Sequence, residues 1–379
     1  MDLARRFYEK GHTVFTADST RFHICRFSKA VKKNFIVPSP RFEPKKFIDR
    51  LIEIVEKEKI DLIIPTFEEI FCFSKELDRF PKSCKIFSAS FEALDQLHNK
   101  WLFNEKLHKM GVTAPKSYLV QTKEDLETLP LEFPYILKPC YSRAAQKVIK
   151  IQDKKELENV KIDPHNPWVA QEWLRGKKLC TYSIANQGKL TAHAVYPLQF
   201  SIDDSSCLNF EAIEHPAIEE WVKNFVEKEK FTGQVGFDFI QLDDGSLYPI
   251  ECNPRSTSGL HLFRNEDNLP LAFFNETPQL IKPKTGFSKQ VAVGMLLYGW
   301  KTKHPQKTYT QFIKKLISVE DVIFSRHDLS PFLIQPFLFI TYIVRCLKLR
   351  MRIPSMFTFD IDWNGEAHNM HEQVNYKLD

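Results

Sequence analysis

The stretch Gly233–Phe263 constrains the fold more than any other, because it has the pattern of two strands joined by a tight turn. Apolar residues alternate loosely with polar ones up to the turn sequence Asp243–Ser246, and a second apolar run follows. A hairpin of this kind brings Asp238 of the first strand close to Glu251 and Asn253 of the second. Three oxygen ligands at one point suit Mg2+, which prefers carboxylates together with phosphate oxygens. An ordinary hairpin with solvated acids is the alternative.

Two neighbours of these acids add to the pattern. Arg255 carries a fixed positive fork that suits a phosphate or a carboxylate. Cys252 stands between two candidate ligands, but successive side chains of a strand point to opposite faces. We therefore expect its thiol in the core rather than in the site.

Composition indicates a globular chain of two or three domains. It has 379 residues, of which 43% are hydrophobic and 27% charged. A net charge of +5, with no long Lys/Arg block and no zinc-finger signature, excludes a nucleic-acid-binding class. Eight scattered cysteines without a CxxC pair, and no signal peptide at the start, predict free thiols and a cytoplasmic location.

Helices and short strands alternate over the first 95 or so residues. Helices are predicted at Leu3–Glu9 and Phe47–Glu58, and strands at Thr13–Ala17, Asp61–Pro65 and Ile86–Ser88. This alternation favours a parallel sheet covered by helices. Such domains usually open on a strand, so we expect either a start further upstream or a sheet that has lost its first strand.

Two features of this region have a functional and an ordinary interpretation. Thr66–Glu69 directly follows a strand, at the end where open α/β sheets bind ligands, but Thr with acids is also common at a helix start. Lys100 precedes a helix predicted at Trp101–Met110 that ends at Gly111, and alone it would be taken for a solvated lysine.

A lysine marks the next region. The apolar strand Phe133–Pro139 ends in Lys138, and a lysine at the end of a buried strand is uncommon unless an anion meets it. Arg143 and Lys147 lie in the polar loop that follows. They either fold over phosphates or belong to a solvated hairpin loop.

The chain then predicts a mostly antiparallel sheet. Trp168–Leu174 has the pattern of a strand, and Tyr182–Ala185 is followed by a turn from which Leu190–Tyr196 pairs back. Glu219–Phe231 is predicted as an amphipathic helix leading into the hairpin.

Taken in order, these segments resemble the ATP-grasp superfamily, which includes carbamoyl phosphate synthetase, biotin carboxylase, D-alanine ligase and smaller carboxylate-amine ligases. The resemblance covers residues 1 to about 275. It rests on Lys138-Pro139 at a strand end, on Gln171-Glu172-Trp173-Leu174 followed by Gly176, and on Asp238 followed by Glu251-Cys252-Asn253-Pro254-Arg255.

The resemblance implies a fold of mixed α/β and α+β class. An open parallel α/β domain of the pre-ATP-grasp type would span residues 1–98. A two-lobed ATP-grasp domain with antiparallel sheets would span 99–285, with its small lobe at about 115–175. Residues 286–379 would form a C-terminal extension that contains an apolar helix.

The same resemblance implies a nucleotide site built from several segments. Lys100 and Lys138 would hold the phosphates of ATP, and Lys138 would also reach the adenine edge. Glu172 would be the acid that reaches adenine or ribose. The full set of implied nucleotide contacts is Lys100, Lys138, Gln171, Glu172, Trp173, Leu174 and Lys178.

For the chemistry, the resemblance implies that Asp238, Glu251 and Asn253 bind one or two Mg2+ ions, with Mn2+ as a substitute. Arg255, together with Asn253 and Arg143, would assist phosphoryl transfer, which needs mainly positioning and charge neutralisation. Residues 256–259 would face the acceptor substrate.

Two departures from the family pattern stand out. Lys177 and Lys178 follow Gly176 where many members have an acid near the ribose, so nucleotide preference or affinity is expected to change. The loop Ser142–Gln146 carries an arginine and two alanines where others are Gly-rich, which predicts a stiffer loop.

The implied function is an ATP-dependent ligase that joins a small-molecule carboxylate to an amine through an acyl phosphate. One alternative is a bicarbonate-activating enzyme of the carbamoyl phosphate synthetase or biotin carboxylase type. Another is a nucleotide-binding regulatory module at a membrane surface.

The region after Phe287 resembles the family only loosely. Val291–Trp300 is expected to complete the ATP-grasp domain, and Tyr309–Ile317 to be helical. Phe332–Leu349 is apolar with a basic end, but a proline inside it leaves it short of a membrane span. We expect it to pack on its own chain, with membrane-surface contact as the alternative. No chemistry is assigned to Asp360–Glu366.

Overall fold

The computed structural model describes residues 1–143, 148–202, 206–301, 308–351, 353–367 and 369–370. Lys147 and most of its loop lie outside the described residues, so the prediction that Lys147 contacts phosphates stays a prediction. Helices occur with parallel strand pairs in the N-terminal region and with antiparallel sheets after it, which confirms the predicted mixed α/β class.

The N-terminal region alternates helices with short parallel strands. β1 pairs in parallel with β2, and β3 with β4, as two separate sheets of two strands each. The predicted parallel pairing is therefore confirmed, although no single sheet joins these four strands. The elements are α1 (Asp2–Glu9), β1 (Phe15–Asp18), β2 (Lys33–Ile36), α2 (Pro44–Glu58), β3 (Leu62–Ile63), α3 (Ile70–Lys75), β4 (Lys85–Ile86), α4 (Phe91–His98) and α5 (Lys100–Lys109).

Asn99 fixes the start of α5. Its side-chain oxygen accepts hydrogen bonds from the backbone N–H groups of Trp101 and Leu102, at 3.0 and 3.1 Å. Lys100 is thereby held in the first turn, where its backbone N–H also donates to the carbonyl of Cys140. The cap places this lysine beside the strand that ends in Lys138.

A small antiparallel sheet follows, in the order β5-β8-β6-β7. Its core contains Tyr135, Leu137, Ala170 and Trp168. Lys138 pairs with Val169 and Gln171 with Ile136 on the neighbouring antiparallel strands β6 and β8, so the Lys138 and Gln171 side chains lie diagonally on one face of the sheet. The elements are β5 (Ser117–Val120), α6 (Lys123–Glu127), β6 (Tyr135–Pro139), β7 (Ile149–Ile151) and β8 (Trp168–Glu172).

The predicted hairpin forms the edge of a larger antiparallel sheet, in the order β10-β9-β13-β14. Asp238 lies directly opposite Glu251, and Gly236 opposite Asn253. The return of the strand from Leu190 onto the strand before it is also confirmed. The elements are β9 (Lys177–Asn186), β10 (Lys189–Pro197), α7 (Pro216–Lys228), β13 (Gly233–Gln241) and β14 (Leu247–Asn253).

Alternation along the hairpin separates core from site. Phe237 and Phe239 are fully buried, and the rings of Trp221 and Phe225 on α7 lie 5.0 Å from that of Phe237. Cys252 belongs to the same core, as predicted. The helix therefore covers one face of the hairpin, and the carboxylates of the other face are left toward a cavity.

Another four-stranded sheet has the order β11-β12-β15-β16, and its strand β12 lies close to β10 of the sheet that contains the hairpin. Val291–Trp300 is largely the helix α9, and the helix predicted from Tyr309 is confirmed as α10. The elements are β11 (Phe200–Ile202), β12 (Ser206–Glu211), α8 (Pro270–Phe274), β15 (Ser288–Gln290), α9 (Ala292–Tyr298), α10 (Tyr309–Ser318), β16 (Glu320–Asp321), α11 (Ser330–Leu333), α12 (Gln335–Leu349) and α13 (Ile353–Met356).

The apolar helix α12 packs on its own chain along one face only. Leu338 and Cys346 are buried, whereas Ile340 and Leu347 are 59% and 75% exposed. The predicted packing is therefore present but partial. Among the described residues, no helix combines the length and the apolar character needed to cross a bilayer.

Candidate active site

The two hairpin carboxylates face each other at the wall of a cavity of about 1370 Å³. Burial and the charge of Glu251 raise the pKa of Asp238 to about 6. Burial alone would raise the pKa of Glu251, but the nearby Lys100 and Lys138 lower it overall. A divalent cation bound by both acids would offset the repulsion between their carboxylates.

Asn253 completes the predicted ligand set at the end of β14 and also lines the cavity. Its side-chain oxygen accepts a hydrogen bond of 3.1 Å from Arg255. Within the described ranges, no cluster of three or more His, Cys, Asp and Glu side chains could hold a metal ion. The set of two carboxylates and one amide thus fits an ion that takes its other ligands from phosphate and water, as Mg2+ does.

The two predicted lysines converge on these acids. The Lys100 ammonium lies 3.4 Å from a carboxylate oxygen of Glu251 and donates to the carbonyl of Ser142 at 2.7 Å. The Lys138 ammonium donates to the side chain of Gln171 at 2.9 Å and to the carbonyl of Ile250 at 3.0 Å.

Burial lowers the pKa of Lys138 to about 8, although the charge of Glu251 opposes this effect. Its two described hydrogen-bond partners are neutral oxygens, so no carboxylate among the described contacts accepts a hydrogen bond from the ammonium. A phosphate oxygen would supply such an anionic partner, and the predicted contact of Lys138 with phosphate stays a prediction.

The segment between the two lobes lines the same cavity with Gln171, Glu172, Trp173 and Leu174. The Glu172 carboxylate accepts a hydrogen bond of 2.7 Å from the backbone N–H of Lys116. It is therefore already fixed by its own chain, and its predicted contact with adenine or ribose stays a prediction.

Two cations surround the aromatic face of this segment. The ammonium of Lys150 lies 3.2 Å from the ring centre of Trp173, and the guanidinium of Arg175 lies 5.3 Å from it. Lys178 also lines the cavity, at the start of β9. This end of the cavity is thus positively charged.

Arg255 is held in place by a buried glutamate. Its guanidinium lies 3.4 Å from Glu68, and its charge lies 4.3 Å from the ring centre of Phe67. Burial by itself would raise the pKa of Glu68, but Arg143, His98 and Arg255 together lower it to about 2. Glu68 is therefore ionised and anchors the arginine that the sequence assigned to phosphoryl transfer.

Arg143 is anchored by the same carboxylate. Its Nε lies 3.1 Å from Glu68, and its Nη1 lies 2.5 Å from Asp362. It lines the cavity but is only 5% exposed, and Nη2 donates to the carbonyl of Trp363 at 3.1 Å. Burial raises the pKa of Asp362 to about 7 despite the opposing charge of Arg143. The guanidinium is thus largely committed to the protein, and its contact with phosphate stays a prediction.

The C-terminal segment was the part of the site that sequence reasoning missed. Trp363 stacks on Phe71 at 5.4 Å, and its backbone N–H donates to Glu68 at 2.7 Å. Gly365, with a φ of 88°, approaches Tyr141 so closely that a Cβ would lie 2.7 Å from its ring. The segment Asp360–Glu366, to which the sequence assigned no chemistry, therefore packs against residues of the site.

Glu68 itself was visible in the sequence as part of Thr66–Glu69. Glu69 accepts hydrogen bonds from the backbone N–H groups of Thr66 and Phe67, in the turn that leads into α3, and the ligand-binding interpretation of this segment stays a prediction. Its position after β3 was the signal that could have identified Glu68.

Beyond Arg255, the predicted acceptor residues 256–258 line the cavity, whereas Gly259 is buried against Tyr182 and Tyr196. Ser256 donates a hydrogen bond of 2.6 Å to Gln234, and Thr257 donates one of 2.8 Å to the carbonyl of Thr181. Gln234 in turn accepts from Tyr182 at 2.7 Å. This buried network fixes the boundary between the nucleotide residues and the rest of the cavity.

A family of known proteins is similar in sequence to the part of this chain that carries the two lysines and the hairpin acids. Residues 97–259 match a family model described as an ATP-grasp domain. The carbamoyl phosphate synthase large chain of Campylobacter jejuni is 24% identical over 253 residues, which are 61% of this chain and 22% of that protein. The chain thus spans less than a quarter of the length of the curated relatives that it matches.

Solved structures agree on the fold. N5-carboxyaminoimidazole synthetase from Staphylococcus aureus aligns with a TM-score of 0.60 at 16% identity, covering 76% of this chain and 77% of that one. The biotin carboxylase domain of the Hydrogenobacter thermophilus 2-oxoglutarate carboxylase, solved with MgADP and bicarbonate, aligns with a TM-score of 0.55 at 13% identity, covering 68% and 62%. The resemblance drawn from the motifs and the predicted ATP-grasp fold are both confirmed.

Proposed function

We propose that this chain, whose residues 97–259 form an ATP-grasp domain, is an ATP-dependent ligase that joins a carboxylate to an amine. One observation carries the proposal. Asp238 and Glu251 face each other in register, and the buried ammonium groups of Lys100 and Lys138 converge on them at the wall of one cavity. Paired acids for a cation next to two buried ammonium groups for phosphates suit a metal-bound nucleoside triphosphate.

The lysines would act on the phosphate oxygens. Lys138, whose present partners are neutral oxygens, would neutralise phosphate charge from the small lobe. Lys100 would do so from the start of α5, since its ammonium already lies beside the metal ligand Glu251. When bound, Mg2+ would neutralise charge between the β- and γ-phosphates. Asp238, Glu251 and Asn253 are the residues that would hold it.

The reaction needs no protein nucleophile. An oxygen of the substrate carboxylate attacks the γ-phosphorus of ATP, which breaks the bond to ADP and leaves an acyl phosphate. The amine nitrogen then attacks the acyl carbon, loses a proton and displaces inorganic phosphate. Arg255, fixed by Glu68 and Asn253, would stabilise the negative charge of the acyl phosphate from a preorganised position.

For the nucleoside we propose the segment Gln171–Leu174 and Lys178 as contacts. These residues line the end of the cavity next to Lys138. The positive charge of Lys178, where an acid is common, favours a ribose environment that differs from that of most relatives. Mn2+ as a substitute ion and a cytoplasmic location remain parts of the same proposal.

A bicarbonate-activating reaction is the second candidate, because one solved relative was crystallised with bicarbonate and the curated relative is a carbamoyl phosphate synthase. The two candidates predict different stimulants of phosphate release. Bicarbonate would suffice for the second, whereas the first needs an organic carboxylate together with an amine.

Phosphate release in the presence of Mg2+ and ATP tests the proposal. A screen of amino acids, dipeptides, fatty acids and polyamines, with mass detection of products, should yield a pair that stimulates release. Glu251→Gln should abolish this stimulated release, because it removes a charged metal ligand. Glu132→Gln changes an exposed glutamate and should leave it unchanged. Unaltered turnover in Glu251→Gln would overturn the metal assignment.

A further inference from the structure

The cavity continues past the nucleotide residues into an apolar part. We define this apolar limb by the lining residues Leu198, Leu208, Val291, Leu297, Phe339 and Phe357. They come from β12, α9 and α12, from Val291 just before α9, and from the chain after β10 and α13, so much of the limb is built by the C-terminal extension.

A short 3-10 helix at Ser258–Leu262 lies where the two parts of the cavity meet. Ser258, Leu260 and His261 all line the cavity, and Leu260 also belongs to the hydrophobic core that contains Tyr182 and Phe210. The polar groups around Arg255 thus give way to aliphatic and aromatic walls within a few residues of chain.

Three further polar side chains of the cavity wall, those of Asp321, Asp18 and His23, are already hydrogen-bonded to the protein. Asp321 accepts from the backbone N–H groups of Ala292 and Ile323, at 2.9 and 2.8 Å. Asp18 accepts from the backbone N–H of Thr20 at 2.7 Å, and His23 contacts the side chain of Asn34 at 2.5 Å. A ligand in this limb therefore need not supply polar partners to them.

The size of the cavity supports an elongated ligand. At about 1370 Å³ it exceeds the roughly 300–1,000 Å³ of ordinary small-molecule sites. A nucleotide at one end leaves the apolar limb for a second ligand. A chain of methylene groups is the chemistry that apolar walls bind without leaving unpaired polar groups.

We infer that the apolar limb binds the hydrocarbon chain of an amphiphilic carboxylate, whose carboxylate lies beside Arg255. The inference rests on the proposed ligase function and specifies its substrate. Arg255 lines the same cavity, three residues before the Ser258–Leu262 helix, and carries the fork geometry that suits a carboxylate. The carboxylate end would meet the γ-phosphate there, while the chain extends toward α9 and α12.

Displacement of dansyl-undecanoic acid, measured without nucleotide, tests the chain site directly. Butanoate, octanoate and dodecanoate should compete with affinities that rise about threefold to fourfold for each added methylene, until the limb is filled. Alkylamines with the same chain lengths as these carboxylates should compete more weakly. Equal affinity across chain lengths would overturn the inference, and stronger competition by the amines would overturn the assignment of the head group.

Neighbouring residues on α12 give a matched pair of variants. Phe339→Asp places a carboxylate in the wall of the limb and should weaken dodecanoate binding more than tenfold. Ile340→Asp changes an outward side chain that is 59% exposed and should leave it unchanged. Ala292→Phe, which fills the limb instead of charging it, should shorten the longest chain that binds. Wild-type affinity in both limb variants would contradict the inference.

The ligase proposal and the chain-site proposal can be refuted independently of each other. Glu251→Gln should keep the affinity for dodecanoate while losing carboxylate-stimulated phosphate release. If long chains bind and no carboxylate and amine pair stimulates release in the wild type, the ligase function is wrong and the chain site stands. If release occurs with short carboxylates only, the apolar limb is not the substrate site.

A separate observation concerns the outward face of α12. Phe337, Ile340, Val344 and Leu347 recur at helical spacing and are between 44% and 75% exposed. Lys348 next to this outer stripe is exposed as well, and the sequence of α12 contains no Asp or Glu. An apolar stripe with a basic end is complementary to an anionic lipid surface.

We propose that the outer stripe docks on an anionic membrane surface. Co-sedimentation should be strong with vesicles that contain phosphatidylserine and weak with phosphatidylcholine alone. Ile340→Asp should reduce binding to the anionic vesicles at least tenfold, whereas Phe339→Asp should not. Absence of wild-type binding, or a concentration-dependent dimer that Ile340→Asp abolishes, would overturn this proposal.

Discussion

Replacement of Glu68 by glutamine tests how the site is held together. Glu68 is buried between two guanidinium groups, with Arg143 at 3.1 Å and Arg255 at 3.4 Å. Glutamine can still accept the hydrogen bond from the Trp363 N–H, so the substitution removes mainly the negative charge. Two buried cations would then lose their shared counter-charge.

The magnitude follows from the cost of leaving a buried charge unpaired. Removing one partner of a buried ion pair costs about 3–5 kcal/mol of unfolding free energy. For 379 residues the unfolding entropy is roughly 0.8 kcal/mol per degree, so the melting temperature should fall by about 4–6 °C. Denaturant unfolding at pH 7 measures the first quantity and calorimetry the second.

The contribution of Glu68 to the unfolding free energy should depend on pH. The Glu68 carboxyl has a pKa lowered from 4.5 to about 2 in the folded protein. Its stabilisation is therefore fully present above pH 4.5 and is lost as the pH falls from 4.5 toward 2. The difference between wild type and Glu68→Gln should be constant near neutral pH and shrink below 4.5.

Glu69→Gln is the matched control, because Glu69 is adjacent in sequence but accepts hydrogen bonds from the backbone N–H groups of Thr66 and Phe67 and faces no arginine in the described contacts. Glutamine keeps an oxygen acceptor, so we expect it to cost at most about 1 kcal/mol. Equal losses in the two variants would refute the view that Glu68 anchors Arg143 and Arg255.

Two further predictions concern Lys138 and the C-terminal segment. Burial lowers the pKa of Lys138 to about 8, so its charge is lost above that pH, and ADP affinity measured by calorimetry should fall there in the wild type but not in Lys138→Arg. An unchanged affinity up to pH 10 would contradict this. Trp363→Ala removes a ring that stacks on Phe71 and should cost about 3–5 kcal/mol in urea unfolding. A loss below about 1 kcal/mol would show that the segment does not dock as described.

Much of the site could be predicted because its residues occupy regular strands with distinctive ends. The hairpin from Gly233 has a period of two and a clear turn, so the opposition of Asp238 and Glu251 follows from local pattern. Lys138 stood out because a lysine rarely ends an apolar strand. Such signals lie within a few residues of each other.

The rest depends on contacts between distant segments. Trp363 reaches Glu68 across 295 positions of the chain, and neither residue carries a local sign of the other. The apolar limb is likewise assembled from β12, α9 and α12, which lie far apart in the sequence and carry apolar residues that any buried element would have. A hydrophobic pattern predicts that the apolar residues of an element are buried, but it does not identify the segment that packs against them.

The central claim, that the hairpin acids form a magnesium-nucleotide site, is tested most directly by ADP binding with and without Mg2+. Calorimetry on the wild type should show that Mg2+ tightens ADP binding by at least about tenfold, or roughly 1.4 kcal/mol. Asp238→Asn and Glu251→Gln should each remove most of this gain while leaving metal-free ADP binding in place. Equal tightening by Mg2+ in the wild type and in both variants would contradict the claim.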